Sequence, residues 1–192
     1  MTPAPIVGLV LAGGRGTRMG GVDKGLQPWH GRPLAAHVLD ALAPQVQSLM
    51  VSANRHLDAY AALGVPVLPD PPAYAFAGPL AGMLAGLLAV PDDTWLLTVP
   101  CDSPQLPSDL AARLWAAALP HGLAFVQAER EHPTHALLHT RHRATLDAAL
   151  AQGQHAVLRW MRSQPHGVAQ FNAPGAFVNF NHLTDLHPPA HG

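Results

Sequence analysis

Charge and cysteine are what this sequence has least of. Only 12% of its 192 residues are charged, and the formal net charge is −1 with histidine neutral; a soluble domain ordinarily carries roughly 25% charged residues. No global basic field exists to hold nucleic acid or an anionic membrane, so any anion site must be local. Cys101 is the one cysteine, which excludes an intrachain disulfide and a cysteine-based zinc cluster. A reducing cytoplasm is the simplest setting for such a chain. No stretch approaches the roughly 20 apolar residues of a membrane span. Residues 1–5 carry neither a basic segment nor a long apolar run, so no signal peptide is expected. No internal repeat and no low-complexity linker interrupts the sequence.

What is present is apolar surface in short, regularly spaced runs. Hydrophobic residues make up 48% of the chain, and the length suits one domain covering residues 1–192, with 187–192 expected to fray. Ile6–Leu11 is a continuous apolar run, as expected of a strand buried on both faces. Leu34, Val38, Ala41 and Leu42 recur at helical spacing. Further strands are expected at Ser48–Ser52, 65–68, 95–99, 123–128, 136–138, 168–171 and 177–180. Helices are expected at 57–63, Pro79–Ala89, 107–119, 140–150 and 156–163. Strands alternating with helices indicate an α/β fold with a mainly parallel sheet, doubly wound and nucleotide-binding in type. In such sheets ligands lie beyond the carboxyl ends of the strands. The loop of residues 13–24, Asp70 and Asp102 all fall at such ends.

The densest chemical signal is the glycine-rich loop after the first strand. Glycines let backbone N–H groups approach an anion without Cβ clashes. Arg15, Arg18 and Lys24 place three positive charges there against one acid, Asp23. That balance suits a triphosphate. The loop is not a dinucleotide fingerprint, because Gly14 and Gly16 fit but Met19 stands at the third position. Nor is it a P-loop, because Lys24 follows Asp23 and precedes Gly25.

Asp102 follows an apolar strand in Pro-Cys-Asp-Ser-Pro, where flanking prolines stiffen the corner. A carboxylate there can bind Mg²⁺ together with substrate phosphates, or it can serve as a turn or cap residue. Asp70, in Pro-Asp-Pro-Pro, has the same logic with weaker force. Asn54 has the chemistry to hydrogen-bond a base or ribose. His132, His135, His139 and His142 are spaced three, four and three apart, which on one helix would suggest zinc or nickel. Pro133 and the apolar run 136–138 point to a strand instead, and there His132 and His135 should face opposite sides. Cys101 lacks a Cys-His-Asn setting and reads as a small buried residue beside the site.

Taken in order, these blocks resemble the molybdenum cofactor guanylyltransferase family. The likeness rests on Leu11-Ala12-Gly13-Gly14, on Arg18-Met19-Gly20-Gly21 with Asp23-Lys24-Gly25-Leu26, and on Gly31-x-Pro33-Leu34. Asn54-Arg55, Gly78-Pro79-Leu80-Ala81-Gly82, Pro100-Cys101-Asp102 and Phe177-Val178-Asn179-x-Asn181 extend it, from Ile6 to about Leu186. Gly13-Gly14 resembles guanylyl enzymes more than cytidylyl relatives, which often read Leu-Ala-Ala-Gly. Where the family often continues Thr-Pro after Asn181, this chain has His182-Leu183.

The resemblance implies a Rossmann-like three-layer sandwich of the nucleotidyltransferase type. It implies transfer of GMP from GTP to molybdopterin with release of pyrophosphate, supported by Mg²⁺. Leu11, Ala12, Gly13 and Gly14 would bind GTP, Lys24 its phosphates, and Asn54 and Asp70 the guanosine. Asp102 would hold the metal, with Lys24 and Arg18 acting beside it in catalysis. His132, Asn179 and Asn181 would lie toward the pterin. GTP and molybdopterin are the expected partners, with transient contacts to cofactor-biosynthesis proteins and molybdoenzyme apoproteins, and with no nucleic acid or membrane. The alternatives are a relative using CTP or a sugar phosphate, a non-catalytic nucleotide-binding module, and a histidine-rich metal carrier.

Overall fold

The opening apolar run forms β1 (Ile6–Leu11), the strand from which the rest of the architecture is counted. In the computed structural model, residues 5–14, 22–172, 175–177, 179 and 180 are described. After β1 come a short hairpin, β2 (Pro28–Trp29) and β3 (Arg32–Pro33), then α1 (Leu34–Leu42), β4 (Ser48–Ser52), α2 (Leu57–Ala61) and β5 (Val67–Leu68). The chain continues through α3 (Pro79–Ala89), β6 (Trp95–Pro100), α4 (Leu110–Ala118), β7 (Leu123–Gln127) and β8 (Glu131–His139). It then adds α5 (Arg143–Ala151), α6 (Val157–Arg162) and β9 (Gly167–Gln170).

The main sheet has seven strands in the order β5-β4-β1-β6-β8-β7-β9. β5, β4, β1 and β6 run parallel, β8 is antiparallel to both its neighbours, and β9 is parallel to β7. The chain leaves β1 toward β4 on one side and returns to β6 on the other. That reversal opens a crevice at the carboxyl end of β1, where α/β sheets bind ligands.

Alternate side chains of each strand feed two cores. Val10, Val51, Leu97 and Val99 pack with α1, α2 and α4 on one face. Leu9, Leu11, Leu96 and Leu138 pack with α3, α5 and α6 on the other. The result is the expected three-layer α/β sandwich. Fully burying each such Leu or Val contributes roughly 1.5–3 kcal/mol.

Helix α3 approaches the sheet more closely than side chains would ordinarily allow. A Cβ at Gly82 would stand 2.6 Å from Ser52 Oγ, and one at Gly86 would stand 2.7 Å from Leu9 Cδ2. The helix starts with Pro79 at its first position, after Gly78 at φ +86°, a conformation that favours glycine.

The differences from the sequence expectations have local causes. The hairpin was unforeseen because each strand is two residues long and contains a proline. The 57–63 helix stops at Ala61 and closes through Gly64 at φ +82°. The 107–119 helix begins only at Leu110, after a turn closed by Leu110 N–H donating to Pro107 O. The strand expected at 136–138 extends over Glu131–His139, because an irregularity between Phe125 and Val126 of β7 accommodates Pro133. The strand expected at 177–180 is not seen among the described residues there. Phe177 lies in a turn at φ +66°, incompatible with an extended ladder.

No described helix is long and apolar enough to cross a membrane.

Candidate functional site

Strand register builds the site. β1 and β6 are paired so that Leu11 lies opposite Pro100, and Cys101 N–H donates to Leu11 O at 3.0 Å. On the other side Ala12 N–H donates to Ser52 O at 2.8 Å. The chain leaving β1 therefore emerges beside the turn that carries Asp102. Between them lies a cleft of about 540 Å³. Its walls include Leu11, Ala12, Gly13, Gly14, Asp70 and Asp102. Lys24, Asp23, Ser52 and Thr134 also line it, as does the start of α3 at Gly78 and Pro79.

Across the cleft, the Lys24 ammonium donates to Asp102 Oδ2 at 3.1 Å. Asp102 Oδ1 is buried and has no hydrogen-bond partner among the described residues. An ionised carboxylate oxygen in that position is costly unless something cationic satisfies it. Among the described residues no group of three or more His, Cys, Asp and Glu converges. A hard divalent cation held by one carboxylate together with phosphate oxygens fits that donor set; a zinc site built from protein ligands does not.

The loop of Gly13 is tied down from behind. Asn54 Nδ2 donates to Gly13 O at 3.3 Å and to Asp70 Oδ2 at 2.7 Å, while its Oδ1 accepts from Asp70 N–H at 2.9 Å. Both amide hydrogens of Asn54 are thereby engaged, and Asn54 itself stands behind the cleft wall. Asp70 Oδ2 also accepts from Phe76 N–H at 3.0 Å. Burial raises the Asp70 carboxyl above the ordinary carboxylate range, with the bonds from Asn54 and Phe76 opposing it. A Cβ at Gly13 would meet Asn54 Nδ2 at 3.0 Å, whereas one at Gly14 would meet open space. Gly14 thus bares its backbone to the cleft, and Gly13 allows the tie beneath it.

Asp23, beside Lys24, has a partner that no sequence pattern announces. The Tyr60 hydroxyl, from a fully buried side chain on α2, donates to Asp23 Oδ1 at 2.5 Å. The Asp23 carbonyl accepts from Leu26 N–H and from Gln27 Nε2 at 3.3 and 3.1 Å. Burial raises the Tyr60 pKa well above its usual value, so the hydroxyl remains a donor. The Cys101 thiol is likewise pushed up, first by burial and then by the charge of Asp102. It is a wall of the site and not a nucleophile.

Asn179 approaches the same turn from the C-terminal side. Its Oδ1 accepts from Ser103 Oγ at 2.7 Å, and Phe180 N–H donates to Asp102 O at 2.9 Å. His132 is buried one layer back, its ring 5.4 Å from that of Phe177. The expectation that His132 and His135 face opposite sides is corrected here. Pro133, Thr134 and His135 intervene between the paired positions His132 and Ala136, breaking the two-residue alternation. The two imidazoles consequently lie 5.7 Å apart, and both meet Phe177. The same irregularity brings Thr134 to the cleft wall, with its carbonyl accepting from Thr98 Oγ1 at 2.9 Å. His139 meets Asp93, and His142 meets His121 O, so these two histidines make contacts apart from the His132–His135 pair. Arg15, Arg18 and Asn181 lie outside the described residues.

Residues 8–168 match the MobA-like NTP transferase domain family. A molybdenum cofactor guanylyltransferase from Acidovorax sp. (strain JS42) is 46% identical, with 95% of this chain and 93% of that protein covered. Molybdopterin-guanine dinucleotide biosynthesis protein A from Archaeoglobus fulgidus shares the fold, with a TM-score of 0.73 at 18% identity over 94% of each chain. Rv0371C from Mycobacterium tuberculosis H37Rv, solved as a complex with manganese, also shares it, with a TM-score of 0.63 at 18% identity over 90% of this chain and 89% of that one.

Proposed function

This chain belongs to the MobA-like NTP transferase family, and from that premise we propose that it transfers GMP from GTP to molybdopterin, releasing pyrophosphate. The observation that carries the reading is the cleft at the switch point of the sheet, with the Lys24–Asp102 pair across it and the Gly13–Gly14 backbone on one wall. The 46% identity to a guanylyltransferase over nearly the whole chain supports guanine as the base and molybdopterin as the acceptor.

A terminal phosphate oxygen of molybdopterin attacks the α-phosphorus of GTP. The new P–O bond forms as the bond to the β-phosphate oxygen breaks, and pyrophosphate departs with the electron pair. The attacking phosphate is already ionised near neutral pH, so no protein base or covalent nucleophile is needed, in keeping with the protonated Cys101. The enzyme has instead to align two anions and offset their repulsion.

Leu11, Ala12, Gly13 and Gly14 offer backbone groups to the nucleotide. Asn54 and Asp70 support the guanosine end, with Asn54 acting by holding Gly13 and Asp70 in place. Lys24 shares its ammonium between Asp102 and the phosphates, and Arg18 adds charge from the same loop. The start of α3 presents the positive end of its dipole to the cleft. Asp102 would hold Mg²⁺ through the carboxylate oxygen that has no partner among the described residues; when bound, the ion offsets charge on the phosphates. His132, Asn179 and Asn181 would serve the pterin side; of these, Asn179 adjoins the Asp102 turn. The chain works as a soluble cytoplasmic enzyme meeting GTP, molybdopterin and, transiently, the proteins that deliver and receive the cofactor.

The test is pyrophosphate release by the purified protein with molybdopterin and Mg²⁺, comparing GTP, CTP and ATP. Release with GTP alone is expected. Release with CTP in preference, or nucleotide binding without turnover, would overturn the reading.

A further inference from the structure

Two carboxylates, Asp23 and Asp102, line this cleft together with one ammonium, that of Lys24. Lys24 is flanked by Asp23 in sequence and by Asp102 in space, yet it is Asp102 that it meets at 3.1 Å. Asp23 is held by a neutral donor, Tyr60, whose hydroxyl lies 2.5 Å from Asp23 Oδ1. The local backbone is arranged for that contact. Gly25 sits directly over the ring, and a Cβ there would run into the Tyr60 hydroxyl. The Asp23 carbonyl is pinned by Leu26 and Gln27 as the chain turns through Lys24. Tyr60 has no exposed surface and belongs to the hydrophobic core that includes Ala53 and Leu39. The hydroxyl is therefore a fixed point against which a cleft-lining loop is registered.

We infer that Tyr60 is a positioning residue for nucleotide binding: its hydroxyl occupies the Asp23 carboxylate, so that the Lys24 ammonium is directed to Asp102 and the incoming phosphates. This rests on the proposed nucleotide reading of the cleft. Without the hydroxyl, Asp23 gains an unsatisfied oxygen next to a flexible ammonium, and the shortest remedy is to turn Lys24 toward itself. The Tyr60–Asp23 bond, at 2.5 Å to an ionised acceptor, is itself charge-assisted and about twice as strong as a neutral one, so it can hold Asp23 against the pull of Lys24. The atom that decides the outcome is one oxygen that touches no substrate.

Tyr60→Phe keeps the ring and removes that oxygen. Binding of GTP with Mg²⁺ is measured by calorimetry, and KM and kcat by pyrophosphate release, in four proteins: wild type, Tyr60→Phe, Asp23→Asn and the double variant. The expected result is a Kd and KM for GTP raised at least fivefold by Tyr60→Phe, with kcat changed less. In the Asp23→Asn background the same substitution should change KM by less than twofold, because the amide no longer competes for Lys24. A loss of equal size in both backgrounds, or a lowered melting temperature with unchanged GTP affinity, would overturn the inference and leave the nucleotide site standing. If wild type itself binds no GTP, the nucleotide reading fails and this inference fails with it.

Discussion

Lys24 and Asp102, 78 residues apart in sequence, meet at 3.1 Å with their side chains 26% and 13% exposed. The contact is a consequence of register: β1 and β6 are paired neighbours, and their carboxyl ends deliver the glycine loop and the Pro100–Cys101–Asp102 turn to the same place. The pair is partly desolvated, so each charge depends on the other before substrate arrives.

Asp102→Asn keeps the shape of the side chain and removes its charge. Turnover should fall about 100-fold or more, the scale seen when one preorganised electrostatic group is lost. The melting temperature should stay near that of wild type. The check is kcat from pyrophosphate release together with a thermal melt; near-normal kcat would contradict the role given to Asp102.

Lys24→Ala removes the ammonium and leaves Asp102 facing the phosphates uncompensated. The KM for GTP should rise roughly tenfold or more, since an ion-assisted hydrogen bond contributes about 1.5–3 kcal/mol. Lys24→Arg should restore only part of it, because a planar fork does not substitute for a point charge. Steady-state kinetics at two salt concentrations checks both.

Asn54→Ala unties Gly13 and Asp70 together. The expected outcome is a raised KM for GTP with a smaller fall in kcat, because the residue acts through the loop and not on the reacting atoms. A fall in kcat alone would contradict that assignment.

Much of this site was legible in the sequence, and the part that was not has a common cause. Lys24, Asp70 and Asp102 stood out because each follows a strand that the apolar pattern located. Helix α3 was read with its observed limits, because Pro79 opens it and small residues run along it. Asn54 was noticed, but its engagement with Gly13 and Asp70 depends on contacts between loops. Tyr60 was missed altogether: its target lies 37 residues away, and a tyrosine on a short amphipathic helix reads as core. Thr134 was not singled out, and the facing of His132 and His135 was misjudged, because two-residue alternation presumes an unbroken ladder and β8 is interrupted beside Pro133.

His135 gives a pH prediction of definite sign. Both of its ring nitrogens are buried without a hydrogen-bond partner among the described residues. Burial, with the charges of His132 and Arg130, lowers its pKa to about 3. The unfolded value lies near 6.5, so the unfolded chain binds more protons, and stability falls as pH drops from about 6.5 toward 3. His135→Leu removes that dependence and should be favoured over wild type by about 2 kcal/mol more at pH 5 than at neutral pH. Asp70, raised by burial, acts in the opposite sense in both proteins, so the difference between them is the quantity to measure. Denaturant unfolding at pH 7 and pH 5 checks it; an equal gap at both would contradict it.

The most direct measurement is anomalous diffraction from a crystal soaked with GTP and Mn²⁺. The triphosphate is expected between the Gly13–Gly14 backbone and Lys24, with the manganese peak on the Asp102 carboxylate. A nucleotide seated elsewhere, or a metal peak away from Asp102, would contradict it.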